Sequence, residues 1–581
     1  MQRQRAHSQR THRKWFLALL ILVTASTWSS IGIRGVGIQT MAVAAPPATA
    51  STLPAETKAN EAPPVRLAVL IVVDQFRADR LPRYERWFGK DGFKRLIKEG
   101  AYFPNAYYSY AVTSTAVGHA TLSTGRLPRQ HGIVNNAWFV DDNPRPQAAE
   151  FDSDARAVGL SGNEKANGNS PRYLLGSTIG DQLKLADRRS RVFSLALKSR
   201  PAVMLGGQKP DGAYWWDHAT NKFITSTWYA EQLPAYIAEY NANQAAAKPI
   251  GQTWECILPE AAYEGCRPVD PKLIGNDYGM GKAFPHRITN ADALYTSPFG
   301  NDITLDVAKL IIANEKLGQG PVTDLFCVSF SSNDAVGHAF GPSSCEAMDM
   351  TVRTDRQIAD LLTFLDKQVG LDRCMIVLAG DHGVQEIPEI TEQQRLGGQY
   401  LNTKAIIAGL NEVLAREIGQ LPDGKSYVLG IEMPWLYFDS AFAEWTSDKQ
   451  TDAMLAAAGY LSEVPGVAAV YTAAELEDFP PLPDDTARWL AWRSYCPGRS
   501  GQVYIAMEPF WYQANSGTTG HGSDQTANRH VPIVLMGPGI AHGRFMRMVD
   551  PMDIAPTMAA MLGIEPPNGF AGQVLPEAFE K

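Results

Sequence analysis

Leu67-Ala68-Val69-Leu70-Ile71-Val72-Val73 is an unbroken apolar run that stops at Asp74. A run of this length without polar alternation suits a strand covered on both faces, as in a parallel sheet. Comparable runs recur at 191–197, 325–330, 375–378 and 532–536, with helical patterns between several of them at 92–98, 177–186 and 305–315. Strands alternating with helices predict an α/β fold, a largely parallel central sheet flanked by helices. Two stretches interrupt the alternation. Residues 205–300 are rich in aromatic, Gly and Pro residues, and residues 385–515 carry strand patterns of their own at 427–431 and 502–507. Both read as insertions capping a single domain over 65–581.

Upstream of the first strand the composition changes. Residues 1–14 hold Arg3, Arg5, Arg10, Arg13 and Lys14 and no acid, an apolar run follows from Trp15 to Val23, and Ala42-Val43-Ala44 closes the segment. A basic start, a short apolar core and a small-residue exit form a signal peptide over 1–44. Ala, Pro and Thr dominate 45–64, which reads as a flexible linker. The apolar core is too short to span ~30 Å of hydrocarbon comfortably, so no stable membrane insertion is expected after the signal is removed. Cleavage removes six Lys/Arg and no Asp/Glu, taking the net charge from −8 to −14. Such acidity, without a basic stripe, argues against a nucleic acid partner. The expected location is periplasmic or secreted.

Export permits disulfides among the six cysteines. Cys256 and Cys266 lie close together in a loop-like stretch and are the expected pair. Cys327 and Cys374 fall inside apolar strand runs and read as buried thiols. No C-x-x-C pair exists, which excludes a cysteine zinc site of the usual spacing.

Polar clusters follow the apolar runs directly. Asp74 closes the first; Asn333-Asp334-Ala335-Val336-Gly337-His338 follows 325–330; Gly380-Asp381-His382-Gly383 follows 375–378. Ligands bind at the carboxyl ends of strands in open α/β sheets, so these acids and histidines are expected on one rim. Asp334 and His338, at i and i+4, share a helix face. His521 lies in the Gly-rich loop 516–522. Asp and neutral His suit zinc and other divalent ions, and six such donors make three for each of two metals. Each piece alone has a plainer reading: a D-x-x-x-H pair is more often a surface salt bridge, and Asp74 after a strand can cap a helix. Thr115, in Val112-Thr113-Ser114-Thr115-Ala116-Val117-Gly118-His119, sits where a loop enters a helix, a position that favours an anion. Asn136 and the pair Lys198 and Arg200 add polar groups nearby in the pattern.

Taken in order, Asp74, Thr115-Ala116-Val117-Gly118-His119-Ala120, Asn136, Lys198-Ser199-Arg200, Asp334-x-x-x-His338, Asp381-His382-Gly383 and His521 resemble the alkaline phosphatase superfamily. The similarity is to its phosphate-irrepressible branch of secreted bacterial enzymes with a threonine nucleophile, and it spans roughly 66–570. The resemblance implies an alkaline phosphatase-like fold, two Zn2+ ions and hydrolysis of small phosphate monoesters. It assigns Asp334, His338 and His521 to one metal and Asp74, Asp381 and His382 to the other, with Thr115 as metal-bound nucleophile. Asn136, Lys198 and Arg200 would hold the phosphoryl oxygens, and His119 would be structural.

A phosphodiesterase or nucleotide pyrophosphatase of the same superfamily shares the ligands. Lys198 with Arg200 weighs against it, because a monoester dianion calls for more positive charge than a diester. A sulfatase needs a C/S-x-P-x-R motif at the nucleophile, and none stands there. Cofactor-independent phosphoglycerate mutases share the metal core but carry no export signal. A non-catalytic binding module would leave Thr115 and the Lys/Arg pair without purpose.

Overall fold

The computed structural model describes residues 65–580 except 141–142, 161–165, 268, 421–425, 479, 483 and 514–517. The expected signal segment and linker, and Ser516 and Gly517 of the histidine loop, lie outside the described residues. An eleven-stranded sheet runs through the molecule. The strand Leu67–Val73 lies in its interior, and all seven of its residues are buried. Parallel neighbours Asp324–Phe330 and Cys374–Gly380 flank it, and Val192–Ala196 and Gly212–Asp217 continue the parallel block beyond Asp324–Phe330. The helices Ile179–Ala186, Pro298–Asn314 and Cys345–Gln368 bury apolar faces against the core.

Register fixes the geometry of the rim. Val73 pairs with Phe330 on one side and with Gly380 on the other, so the three strands end level. Asp74 and Asp381 therefore emerge side by side, and Asp334 follows on the helix Ser332–Phe340 after one short turn. Ala196 pairs with Ser329, which brings Lys198 to the same edge.

The run at 532–536 belongs to the strand His530–Met536, which is antiparallel to Cys374–Gly380. Burial on both faces gave no sign of that direction, because side-chain pattern is blind to strand polarity. The reversal matters: the start of this strand lies at the carboxyl-end rim, and His521 arrives there with it. Ala101–Tyr107 joins the sheet beside it despite Pro104, which sits where the register with His530–Met536 shifts.

Within 205–300, Gly212–Asp217 and Lys222–Ser226 extend the main sheet, Thr253–Trp254 and His286–Arg287 pair as a small antiparallel sheet, and the rest of the described residues form loops and short helices. Residues 385–515 build a separate four-stranded sheet from Val428–Glu432, Trp435–Phe438, Val503–Met507 and Val467–Thr472. The helices Thr403–Ile418 and Ser447–Leu461 pack on it around a core of their own.

The expected Cys256–Cys266 disulfide is not formed. Cys266 pairs with Cys345, 79 residues away, with Cα atoms 5.1 Å apart, while Cys256 is exposed and free. Arg267 N–H donates to the Ser343 carbonyl at 3.1 Å, laying the loop beside the start of the helix Cys345–Gln368. That proximity is tertiary, so closeness in sequence misdirected the pairing. Cys327 and Cys374 are buried thiols, as expected. Among the described residues no helix is long and apolar enough to cross a membrane.

Candidate active site

Thr115 is the first residue of the helix Thr115–Thr124 and is almost wholly buried. Ser114 takes the extended cap conformation, but its hydroxyl makes no cap bond. Asn136 instead accepts the Ala116 N–H on Oδ1 at 2.8 Å. That contact fixes the amide, leaving its NH2 as the donor on a residue that lines the cleft. Thr115 Oγ1 lies 3.3 Å from His382 Nε2 and 3.5 Å from Lys198 Nζ.

The three histidines are held in one tautomer. His382 Nδ1 donates to the Gly383 carbonyl at 2.9 Å, His338 Nδ1 to the Thr519 carbonyl at 2.7 Å, and His521 Nδ1 to the Thr113 carbonyl at 2.8 Å. A carbonyl only accepts, so each Nδ1 carries the proton and each Nε2 presents a lone pair. His382 Nε2 faces Asp381 Oδ2 at 3.2 Å and Asp74 Oδ1 at 3.4 Å. His338 and His521 Nε2 face Asp334 Oδ1 at 3.2 and 3.4 Å. Two groups of converging lone pairs result: Asp74, Asp381 and His382, and Asp334, His338 and His521.

Charge makes the same point. Burial, then Asp381, push the Asp74 carboxyl well above the ordinary range, and burial raises Asp381 to about 7. Burial acts the same way on Asp334, but His338 and Lys198 outweigh it and hold that carboxyl well below the ordinary range. Asp74 Oδ1 and Asp381 Oδ2 are buried with no hydrogen-bond partner among the described residues. A dication between the converging donors would answer both the missing partners and the unbalanced charge, so the residues fit metal ions. His119, four residues after Thr115, belongs to neither group, although its Nδ1 lies 3.2 Å from Asp381 Oδ2. Burial lowers it to about 4, and it bonds the Thr115 carbonyl at 2.8 Å and Ser329 Oγ at 2.9 Å.

Lys198 Nζ bridges the two groups, 2.7 Å from Asp74 Oδ2 and 2.6 Å from Asp334 Oδ2. Arg200 lies farther out, its Nε 3.7 Å from Glu150 Oε1, which also accepts from Ser199 Oγ at 2.7 Å. Glu150 had no sequence signal; it ends a polar loop 50 residues upstream of Arg200. A cleft of ≈ 750 Å³ opens over the site, lined by Thr115, Asn136, Lys198, Arg200, Asp334, His338 and His521. All ten residues singled out in the sequence thus meet here.

Glu432, the last residue of the strand Val428–Glu432, is a mostly buried carboxylate that feels the charge of Arg200. Burial raises its carboxyl from 4.5 to about 7, with Arg200 opposing. The unfolded chain releases this proton at lower pH than the folded one, so the carboxyl costs stability as pH rises from 4.5 to about 7, and the cost persists above that. Glu432→Gln is expected to stabilise the protein by about 1–3 kcal/mol at pH 9 and to change little at pH 4, read from paired denaturant melts.

Two groups of converging metal donors beside a hydroxyl at a helix start have the make-up of a phosphoryl-transfer site. The chain belongs to the alkaline phosphatase family. The family model described as type I phosphodiesterase / nucleotide pyrophosphatase matches residues 68–530. A protein of Myroides odoratus named calcium-transporting ATPase is 35% identical over 89% of this chain and 95% of its own. Alkaline phosphatase PhoV of Synechococcus elongatus is 33% identical over 89% of this chain and 93% of its own. Alkaline phosphatase PafA of Elizabethkingia meningoseptica is 30% identical over 90% of this chain and 96% of its own. The crystal structure of wild-type PafA superposes with a TM-score of 0.81, covering 90% of this chain and 100% of that one.

Proposed function

We propose that the protein is an exported alkaline phosphatase that uses two Zn2+ ions to hydrolyse phosphate monoesters through a phosphothreonine on Thr115. The observation that carries this reading is the placement of Thr115 Oγ1 at 3.3 Å from His382 Nε2, in one group of metal donors, and 3.5 Å from Lys198 Nζ, which bridges that group to the other. Asp74, Asp381 and His382 would hold one zinc, and Asp334, His338 and His521 the other. When bound, zinc supplies the Lewis acidity that lowers the pKa of a coordinated hydroxyl or water and steadies a leaving oxygen. Thr115 Oγ attacks phosphorus as the ester P–O bond breaks, and the leaving alcohol departs. Water then attacks the phosphothreonine, releasing phosphate and restoring the hydroxyl. Asn136 donates its amide to a non-bridging oxygen, and Lys198 and Arg200 offset the charge there. The basic and apolar N-terminal segment supports export to the periplasm or medium, as does the disulfide Cys266–Cys345.

The rival reading, a phosphodiesterase or nucleotide pyrophosphatase, draws on the description of the matching family model. Lys198 and Arg200 separate the two. A monoester presents a dianionic group with three non-bridging oxygens, a diester one charge and two. Charge-assisted contacts contribute roughly 1.5–3 kcal/mol each, so losing one is expected to cost about 10- to 150-fold in kcat/KM. Lys198→Ala and Arg200→Ala should damage hydrolysis of an aryl phosphate far more than that of the methyl aryl phosphate. Steady-state rates on both esters in the three proteins test this. Equal losses, or a wild-type enzyme preferring the diester, would move the protein to the rival class.

A further inference from the structure

Gln75 is fully buried directly after Asp74 and holds a left-handed backbone, φ 61°, that non-glycine residues seldom adopt. That conformation turns its two donors in different directions. The backbone N–H donates to Asp381 Oδ1 at 3.0 Å, in one donor group. The side-chain Nε2 donates to Asp334 Oδ1 at 2.8 Å, in the other, and lies 3.4 Å from the Asp334 carbonyl. The side chain fits only because residue 337 is glycine: a Cβ there would overlap Gln75 Oε1. One residue therefore ties a carboxylate of each group, by backbone on one side and by side chain on the other.

Resting on the two-metal reading above, we propose that Gln75 is a positioning residue that sets the Asp334 carboxylate for its metal through the side-chain amide. The Asp381 carboxylate is set by the backbone N–H, which any residue at 75 other than proline supplies. Removing the amide should therefore weaken one metal site and spare the other. Partners that orient a ligand typically matter 10- to 100-fold in metal affinity.

The test titrates the zinc-loaded full-length enzyme with a chromophoric chelator and counts the zinc released, in wild type and in Gln75→Met, whose side chain keeps the shape and loses the donor. The expected result is one affinity unchanged and one lowered roughly 10- to 100-fold, with His521→Ala added to Gln75→Met leaving the tight site intact. Two unchanged affinities, or two falling together, would overturn the proposal. Should Gln75→Met not fold, Gln75→Asn carries the test, since asparagine accepts the left-handed conformation and stops one methylene short of Asp334. Failure of both variants to fold would make Gln75 a core residue and overturn the proposal as well. A wild-type enzyme that holds no zinc would instead overturn the two-metal reading.

Discussion

Thr115→Ala is expected to lower kcat on an aryl phosphate by on the order of 10⁴-fold or more, with metal content unchanged. The two groups of donors are complete without the hydroxyl, since their ligand atoms come from Asp74, Asp381 and His382 and from Asp334, His338 and His521. Alanine also keeps the helix Thr115–Thr124, because the Ala116 N–H is bonded by Asn136 and not by the threonine side chain. The loss should thus fall on chemistry rather than on fold. Thr115→Ser should retain activity, for it keeps an oxygen at the same atom. Undiminished turnover in the alanine variant would remove Thr115 from the reaction; zinc lost together with activity would make it a ligand whose absence empties the site.

Withdrawing metal is the second large effect. Chelation should bring turnover to background and zinc should restore it, because a threonine hydroxyl at neutral pH is a weak nucleophile unless its pKa is lowered. Stability should move with activity. Asp74 and Asp381 are buried carboxylates that burial holds toward the protonated form, and a dication relieves that cost. Zinc at 1,000 times its Kd would add about 4 kcal/mol per site, visible as a higher Tm in the presence of zinc than of chelator. His338→Ala and His521→Ala each remove a donor from the same group, and each should lower zinc affinity by at least the roughly 10- to 100-fold that an outer partner commands. Full activity in a metal-free preparation would end the two-metal reading.

Much of this site was legible because its residues mark the ends of buried strands. Asp74 and Asp381 interrupt apolar runs at the point where a parallel sheet opens its rim, and Asp334 and His338 carry helix spacing just beyond a third. Chemistry-bearing residues at those places stand out from the apolar pattern alone. Other features depend on contacts that no local pattern encodes. The polarity of His530–Met536, which delivers His521, is invisible in a strand buried on both faces. Ala101–Tyr107 was hidden by Pro104, tolerated because the register shifts there. Cys345 meets Cys266 across 79 residues. Lys198, expected on the phosphoryl group alone, also bridges Asp74 and Asp334, a position set by strand register. Gln75 and Glu150 gave no signal, since a lone amide or acid in a loop means little until its partners are known.

The covalent route is tested most directly by trapping it. Enzyme turning over an aryl phosphate is quenched in acid, where a phosphate ester of threonine survives, and the digested chain is mapped by mass spectrometry. The expected result is one phosphopeptide, with the phosphate on Thr115, absent from Thr115→Ala enzyme treated in the same way. Phosphate on a different residue, or turnover that leaves every trapped peptide unmodified, would contradict a phosphothreonine intermediate at this site.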